Sequence, residues 1–215
     1  MNRAPLAVLR LVLAVTVAVT IGIQIGDRVA HDAFDPAEYF SYFTIQSGLI
    51  NVVVFAVGTA MALRLRRDTV LFTAVRLSAL TYAVITAGVY NLLLRGVPYE
   101  GFAGLQWPNE VLHVGVPVVV VLDWLLSPGR PALPWSSLRI ALVFPVAWLA
   151  YTLPRGLATG VYPYPFLDPA TAGWGSVAAY IVALSAFIVG LVALAILYSR
   201  RVSRTGSRHP RRRGR

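Results

Sequence analysis

Hydrophobic residues are collected into six long runs, separated by short connections that carry most of the charged and turn-forming residues. The runs lie at about 5–26, 40–63, 70–94, 109–126, 136–153 and 171–198. Each is close to or above the ~18–20 apolar residues with which an α-helix crosses the hydrocarbon core of a bilayer. We therefore predict an all-α fold, a polytopic membrane bundle of six transmembrane helices formed by residues 1–199.

Basic residues fall mostly on one side of this arrangement. Sixteen of the 19 basic residues lie at or near the two termini and the second and fourth connections, whereas Arg28, Arg95 and Arg155 lie on the opposite side. Loops that stay in the cytoplasm carry an excess of positive charge. The sequence therefore predicts that both termini are cytoplasmic.

Residues 200–215 differ from the rest of the chain, because they contain eight arginines together with serine, glycine and Pro210. Such a run of like charges predicts a disordered basic cytoplasmic tail. Each arginine near anionic lipid head groups contributes about 1 kcal/mol of attraction. Aromatic residues and a folded module are the usual features of nucleic-acid binding, and the tail has neither, so no nucleic-acid partner is predicted.

Composition narrows the possible chemistry. The chain is 57% hydrophobic and 13% charged, against roughly 45–50% and about 25% in soluble domains. It has no cysteine, which excludes disulfides and thiolate metal sites, and all its basic residues are arginine, which excludes a lysine Schiff base. Its three histidines are not spaced as a ligand pair, so we predict neither a metal nor a cofactor.

Polar residues follow one stripe of the second predicted helix. Thr44, Ser47, Gly48 and Asn51 are spaced i, i+3, i+4 and i+7, which places them on one helical face. In hydrocarbon such a stripe faces the bundle interior. It either bonds neighbouring helices together or forms part of a site.

The fourth predicted helix contains His113, the single histidine in a membrane run, with Asn109 one turn before it and Glu110 three residues before it. An ionisable residue inside a membrane is a functional hypothesis by default, and either neighbour could orient its second ring nitrogen. The structural alternative is a neutral histidine that bonds to a backbone carbonyl.

Thr44 and His113 lie at the same predicted depth. Each is four or five residues, or roughly 6–8 Å, inside the outer start of a helix that runs inward. A hydroxyl within hydrogen-bonding reach of a histidine is the minimal arrangement of an activated oxygen nucleophile. The two side chains are expected within about 3–5 Å of each other, next to a cavity.

Other charges in the membrane runs have structural interpretations. Asp123 is predicted to form an ion pair with Arg10, Arg76 or Arg139 in preference to a role in a proton relay. Arg10 and Arg76 are also able to extend to cytoplasmic head groups.

Two further patterns concern packing. Gly22 and Gly26 form a GxxxG spacing, for which packing within the chain is favoured over a dimer contact. The fifth connection contains three prolines at 163–169, which stiffen it enough to cap a pocket at the outer side.

Several of these segments together resemble a known family. The segments are FSYFTIQSG at 40–48, NEVLHVGVP at 109–117 with DW at 123–124, and YPYPFLDP at 162–169. In this order they resemble the bacterial Pr6Pr family of membrane proteins, which is similar to the eukaryotic androgen-induced and FAR-17a-like family. The resemblance implies a multi-pass protein of the bacterial plasma membrane.

The eukaryotic family consists of multi-pass hydrolases that cleave fatty acid esters of hydroxy fatty acids with an essential Thr and His. The resemblance implies that Thr44 is the nucleophile and His113 the base of a cofactor-independent lipid esterase. Ser47, Asn51 and Asn109 are the candidates for binding substrate or an oxyanion. The alternative is a non-enzymatic carrier, channel or structural subunit with a polar binding site at this depth.

Overall fold

The computed structural model describes residues 3–97 and 101–207, with side chains up to Ser203, and these residues form helices and connections without a strand. Six helices are long and apolar enough to cross a membrane, which confirms the predicted all-α membrane bundle. They are α1 (Ala4–Ala30), α2 (Phe43–Arg64), α3 (Val70–Leu94), α4 (Gln106–Leu126), α5 (Ser137–Thr159) and α6 (Pro169–Ser207). The chain is a multi-pass membrane protein.

Three helices extend beyond their predicted ends. α1 continues to Ala30, and α5 continues through Pro154 to Thr159. Membrane helices tolerate an internal proline because neighbouring groups satisfy the freed backbone carbonyl. α6, which is kinked at Gly173 (φ 75°), continues to Ser207, past the predicted start of the tail at Arg200. Residues 208–215 of that tail lie outside the described residues.

α3 is the central helix of the bundle. Of its most apolar stretch, 72% is buried, compared with 22% for α5 and for α6. α3 contacts α2, α4, α5 and α6, while α1 packs mainly against α2. The outer face of α1 exposes an apolar stripe to the surrounding medium, consisting of Val8, Leu11, Val12, Val15 and Val19. Its spacing is that of a lipid-facing helix surface.

Both described ends of the chain lie at the same end of the bundle, which we call the terminal end. Arg3 donates to the carbonyl of Leu65 at 3.1 Å, and Ser203 donates to the carbonyl of Arg130 at 2.9 Å. The terminal end therefore contains the α2–α3 and α4–α5 connections. We call the opposite end, with the other three connections, the distal end.

A buried charge network lies at the terminal end. Its six members are each at most 6% exposed: Arg3, Arg10, Asp68, Arg76, Asp123 and Arg130. Asp68 pairs with Arg3 and, at 3.2 Å, with Arg10. Arg76 also reaches Asp68 at 2.7 Å. Asp123 accepts Arg10 and Arg76 at 3.1 Å each. The predicted ion pair of Asp123 is confirmed for these two arginines.

Arg10 and Arg76 do not extend to the head-group region, contrary to the expectation from their positions near helix ends. They are 0% and 1% exposed, because two carboxylates inside the bundle compensate their charge. Asp68, in the α2–α3 connection, turns inward to supply the second of these carboxylates.

Glycines permit close packing at a different place from the one predicted. A Cβ atom at Gly22 or Gly26 would meet no atom within 4 Å, so the GxxxG spacing does not bring helices together within the described chain. A Cβ at Gly58 would lie 2.9 Å from the ring of Phe72 and 3.0 Å from Cδ of Arg10. Glycine at this position leaves room for the Arg10 side chain, whose Nη1 donates to the Gly58 carbonyl at 3.2 Å.

Candidate active site

The hydroxyl of Thr44 and the imidazole of His113 meet at the distal end. Thr44 Oγ1 lies 3.2 Å from His113 Nε2, so the predicted proximity of these side chains is confirmed. Thr44 is the second residue of α2, and the chain just before it is anchored by Trp148, whose indole N–H donates to the Ser41 carbonyl at 2.9 Å. Both members of the pair are half-buried.

The hydrogen bond of His113 Nδ1 determines whether Nε2 is a donor or an acceptor. Nδ1 lies 2.8 Å from the backbone carbonyl of Asn109. A carbonyl only accepts hydrogen bonds, so Nδ1 carries the proton and Nε2 is left as an acceptor. The Thr44 hydroxyl therefore donates to Nε2, which is the orientation that general-base activation requires.

A chain of hydrogen bonds supports Asn109. Its side-chain oxygen accepts from Gln24 Nε2 at 3.0 Å, and Gln24 Oε1 accepts from the Tyr39 hydroxyl at 3.0 Å. Burial raises the pKa of Tyr39 to about 12, although the nearby charge of Arg28 opposes the shift. Tyr39 is therefore a neutral donor at physiological pH, and it fixes the start of α4 through Gln24.

The backbone on both sides of the pair departs from α-helical geometry. α3 ends in a π-helical turn at Tyr90–Leu94, and α4 contains another at Val111–Gly115, which includes His113. Single π-turns in helices are frequent at functional sites. The Asn91 amide donates to the His113 carbonyl at 3.3 Å, which satisfies an acceptor in the second turn. The ring of Tyr90 covers one face of the imidazole.

The predicted oxyanion donors are not brought to the pair as donors. The Ser47 hydroxyl donates to the Thr44 carbonyl at 3.2 Å and lies 3.5 Å from the Thr86 hydroxyl. Asn51 is seven residues further along α2, or about 10 Å deeper. The amide of Asn109 is turned toward Gln24. These residues support the surrounding packing, and Asn109 orients His113 through its backbone.

Tyr164, which the sequence did not single out as a site residue, lies beside the pair and lines the same cavities. Burial raises the pKa of its hydroxyl, although the nearby Thr44 side chain and the backbone of Thr44 and Phe43 oppose the shift. The first N–H groups of a helix lack intrahelical partners and attract negative charge. A neutral phenol and the N–H groups of Phe43 and Thr44 thus lie close to the Thr44 hydroxyl. The Tyr-Pro repeat in the connection was the available signal.

Two cavities meet at the pair. The apolar cleft is formed by α2, α3, α5, α6 and the Tyr164 connection. Val146 on α5 and Ser185 on α6 line it and are exposed, so its mouth opens sideways between these helices. The distal pocket includes the polar side chains of Gln24, Arg28 and Asn109. Thr44, His113, Tyr90 and Tyr164 line both cavities.

Pro163–Pro165 also border the distal pocket, which confirms the expectation that the fifth connection caps a cavity. Among the described residues, no group of three or more His, Asp or Glu side chains is arranged to hold a metal ion. No family model, curated protein or solved structure matches the chain.

Proposed function

We propose that this protein is an intramembrane esterase that cleaves a lipid ester with Thr44 as nucleophile and His113 as base. The observation that carries the proposal is the 3.2 Å contact between Thr44 Oγ1 and His113 Nε2, with Nδ1 bonded to a carbonyl. This arrangement leaves the imidazole nitrogen free to accept the hydroxyl proton. The position of the pair between an apolar cleft and a polar pocket suits an ester bond with a long hydrocarbon chain.

In the first half of the reaction, Thr44 Oγ1 attacks the ester carbonyl carbon while His113 Nε2 takes the hydroxyl proton. The negative charge that develops on the carbonyl oxygen is stabilised by the N–H groups of Phe43 and Thr44 and by the Tyr164 hydroxyl. The intermediate collapses when the carbon–oxygen bond to the leaving alcohol breaks. His113 returns its proton to that oxygen, leaving an acyl-threonine.

In the second half, water from the distal pocket attacks the acyl-threonine carbonyl and gives its proton to His113 Nε2. The same donors stabilise the second oxyanion. The proton passes to Thr44 Oγ1 as the acyl bond breaks, which releases the carboxylic acid and restores the enzyme. Each step uses side chains of this chain together with ester and water.

The shape and lining of the cavities support a lipid as the proposed substrate class. The apolar cleft holds an acyl chain and opens sideways between α5 and α6, the route by which a lipid enters from the bilayer. The resemblance to the Pr6Pr and FAR-17a-like families supports a fatty acid ester of a hydroxy fatty acid as substrate. The arginine distribution favours cytoplasmic termini, and the family resemblance implies a bacterial plasma membrane. The pair then acts in the outer leaflet.

The direct test compares purified parent protein with Thr44→Ala and His113→Ala in hydrolysis of a panel of long-chain acyl esters, including a fatty acid ester of a hydroxy fatty acid. A fluorophosphonate probe provides a second readout, because it labels an activated hydroxyl covalently. Each variant should lower kcat by about 10³-fold or more and remove labelling. Thr44→Ser retains an oxygen nucleophile and should keep partial activity.

Thr59→Ala is the matched control, since Thr59 lies on the same helix and donates within it to the Phe55 carbonyl at 2.9 Å. It should leave hydrolysis and labelling unchanged. The proposal fails if correctly folded Thr44→Ala protein hydrolyses the whole panel at the parent rate. Saturable binding of these lipids without turnover by the parent would instead assign the pair to a carrier or binding protein.

A further inference from the structure

The buried charge network carries more positive than negative charge. It contains four arginines and two aspartates. Both carboxylates are already paired, Asp68 with three arginines and Asp123 with two. Burial of an uncompensated charge is strongly unfavourable in a protein interior. The imbalance therefore indicates that an anion belongs beside one of the arginines.

Of the four arginines in this network, Arg130 is the one without an ion pair among the described residues. It is 5% exposed, and its Nε and Nη1 have no hydrogen-bond partner there. Its Nη2 reaches the Ser127 carbonyl at 3.4 Å. The guanidinium lies between the rings of Trp124 and Tyr198, at 4.4 Å and 5.2 Å from their centroids. The two rings restrict the orientation of the guanidinium, whose Nε and Nη1 are left without a hydrogen-bond partner among the described residues.

Arg130 lines a cavity at the terminal end together with Arg3, Arg66, Arg67 and Asp68. The Asp68 carboxylate is already paired with three arginines. Arg3 Nε, also buried, likewise has no hydrogen-bond partner among the described residues. Arg66 and Arg67 are exposed and form the rim. The cavity is thus lined by two buried guanidinium groups and has exposed positive charge at its rim.

We propose that this cavity binds a phosphate-bearing anion, with Arg130 as its main ligand. A planar guanidinium presents parallel N–H groups that match two oxygens of a phosphoryl group, and such charge-assisted pairs are stronger than neutral hydrogen bonds. Arg3 supplies a further donor, and the rim arginines attract the anion. A phosphoryl group of charge −1 or −2 also offsets the excess charge of the network. The anion comes either from a lipid head group at the membrane surface or from free phosphate.

Thermal unfolding of the full chain tests the proposal and separates the two sources. Protein in a neutral detergent is heated with sodium phosphate or with sodium chloride at equal ionic strength, and in micelles with phosphatidylglycerol or phosphatidylcholine. A saturating ligand should raise Tm by about 3 °C or more. Stabilisation by phosphatidylglycerol alone identifies a head group, and stabilisation also by phosphate shows that the phosphoryl group suffices. If neither anion raises Tm above its control, the proposal is overturned.

Arg130→Gln should abolish the shift in Tm, because it removes the charge and the guanidinium fork. Arg139→Gln is the matched control: Arg139 is exposed in the first turn of α5, so the variant removes equal charge and should keep the full shift. If Arg130→Gln does not fold, the double variant Arg66→Gln/Arg67→Gln replaces it, and it should raise the anion concentration at half-maximal shift about tenfold. Equal shifts in the folded cavity variant and in Arg139→Gln would overturn the proposal.

Discussion

The imidazole of His113 lies nearly parallel to the phenol ring of Tyr90, with ring centroids 4.1 Å apart and planes inclined by 23°. The two residues come from different helices, and each lies in a π-helical turn. Arg95, next to the first turn, pairs with Glu110 at 2.8 Å, and Glu110 also accepts the Tyr90 hydroxyl at 3.3 Å. These contacts join the ends of α3 and α4 and hold the imidazole plane toward Thr44.

Removal of this stacked ring should impair turnover without unfolding the protein. Tyr90→Ala frees the imidazole to rotate, so we expect kcat for ester hydrolysis to fall about tenfold, as small errors of position at a reacting group cost that much or more. Tyr90→Phe keeps the ring and should stay close to the parent rate. Steady-state kinetics of the parent and of both variants test this expectation. Equal Tm values show that the three proteins are equally well folded. Equal rates for Tyr90→Ala and the parent would show that the ring has no positioning role.

The Tyr164 hydroxyl is expected to stabilise the transition state. Tyr164→Phe removes one of three donors beside Thr44, and loss of one oxyanion donor typically lowers kcat by about 10²-fold while KM changes little. Tyr162→Phe is the control in the same connection, because Tyr162 packs against Gly156 instead of the pair. A rise in KM with unchanged kcat for Tyr164→Phe would assign the hydroxyl to ground-state binding.

The mouth of the apolar cleft should limit the rate of hydrolysis of long-chain esters but not that of short esters. Ser185→Trp places a large ring where the cleft opens between α5 and α6. Hydrolysis of long-chain esters should fall at least tenfold, whereas short water-soluble esters, which enter through the distal pocket, should react as before. Val182→Trp adds the same ring to the exposed face of α6 and should change neither. Equal loss for short and long esters would contradict lateral entry.

Asp68 should make the fold sensitive to acid. Burial alone would raise the pKa of Asp68, but the hydrogen bond from Arg3 and the charges of Arg10 and Arg76 outweigh it and hold the pKa below its ordinary value of 3.8. A carboxylate with a lowered folded pKa contributes stability above its unfolded pKa and loses it as pH falls through the folded pKa. The parent should therefore keep its Tm down to about pH 4 and lose stability below it.

Asp68→Asn should lower the free energy of unfolding at neutral pH by about 3–5 kcal/mol, because three buried arginines lose their shared partner. Chemical unfolding of the parent and of Asp68→Asn, at neutral pH and at a series of acidic pH values, measures both the stability loss of the variant and the acid sensitivity of the parent. If the variant and the parent had parallel stability curves below pH 4, Asp68 would not be the group responsible.

Single cysteines test the orientation in the membrane, since the chain has none of its own. Ala37→Cys lies at the distal end, and Ser136→Cys lies at the terminal end; both positions are exposed. Positive-inside topology predicts that a membrane-impermeant maleimide labels the first in intact cells and the second only after lysis. The reverse pattern would place both termini outside.

Six helices were predictable because a bilayer sets a minimum length for an apolar run. Thr44 and His113 were predictable at equal depth, because each lies the same distance from the start of a helix that runs inward. Equal depth does not show that the two helices are neighbours, and the structure supplies that part. The contact of the two side chains at 3.2 Å agrees with the predicted equal depth. The catalytic roles of the two residues stay a prediction.

The remaining parts of the site depend on contacts between segments distant in sequence. Tyr90 and His113 each lie in a π-helical turn, and no residue pattern in the sequence predicts either turn. Tyr164 reaches the start of α2 because its connection folds back over the bundle. The sequence points to the side-chain amide of Asn109 as a candidate ligand, but the backbone carbonyl of Asn109 makes the contact with His113. Backbone groups are present at every position, so sequence does not distinguish the one that is used.

The buried charge network joins residues that are far apart in the sequence. Asp68 and Asp123 join α1, the α2–α3 connection, α3 and α4 through the same two arginines, Arg10 and Arg76. Burial of an arginine without enough negative charge beside it is unfavourable, and Arg10 and Arg76 have both carboxylate partners only when α1, α3 and α4 are packed together. We therefore expect these helices to assemble cooperatively. Neither α5 nor α6 contributes a charge to these ion pairs, so the pairs themselves do not require them.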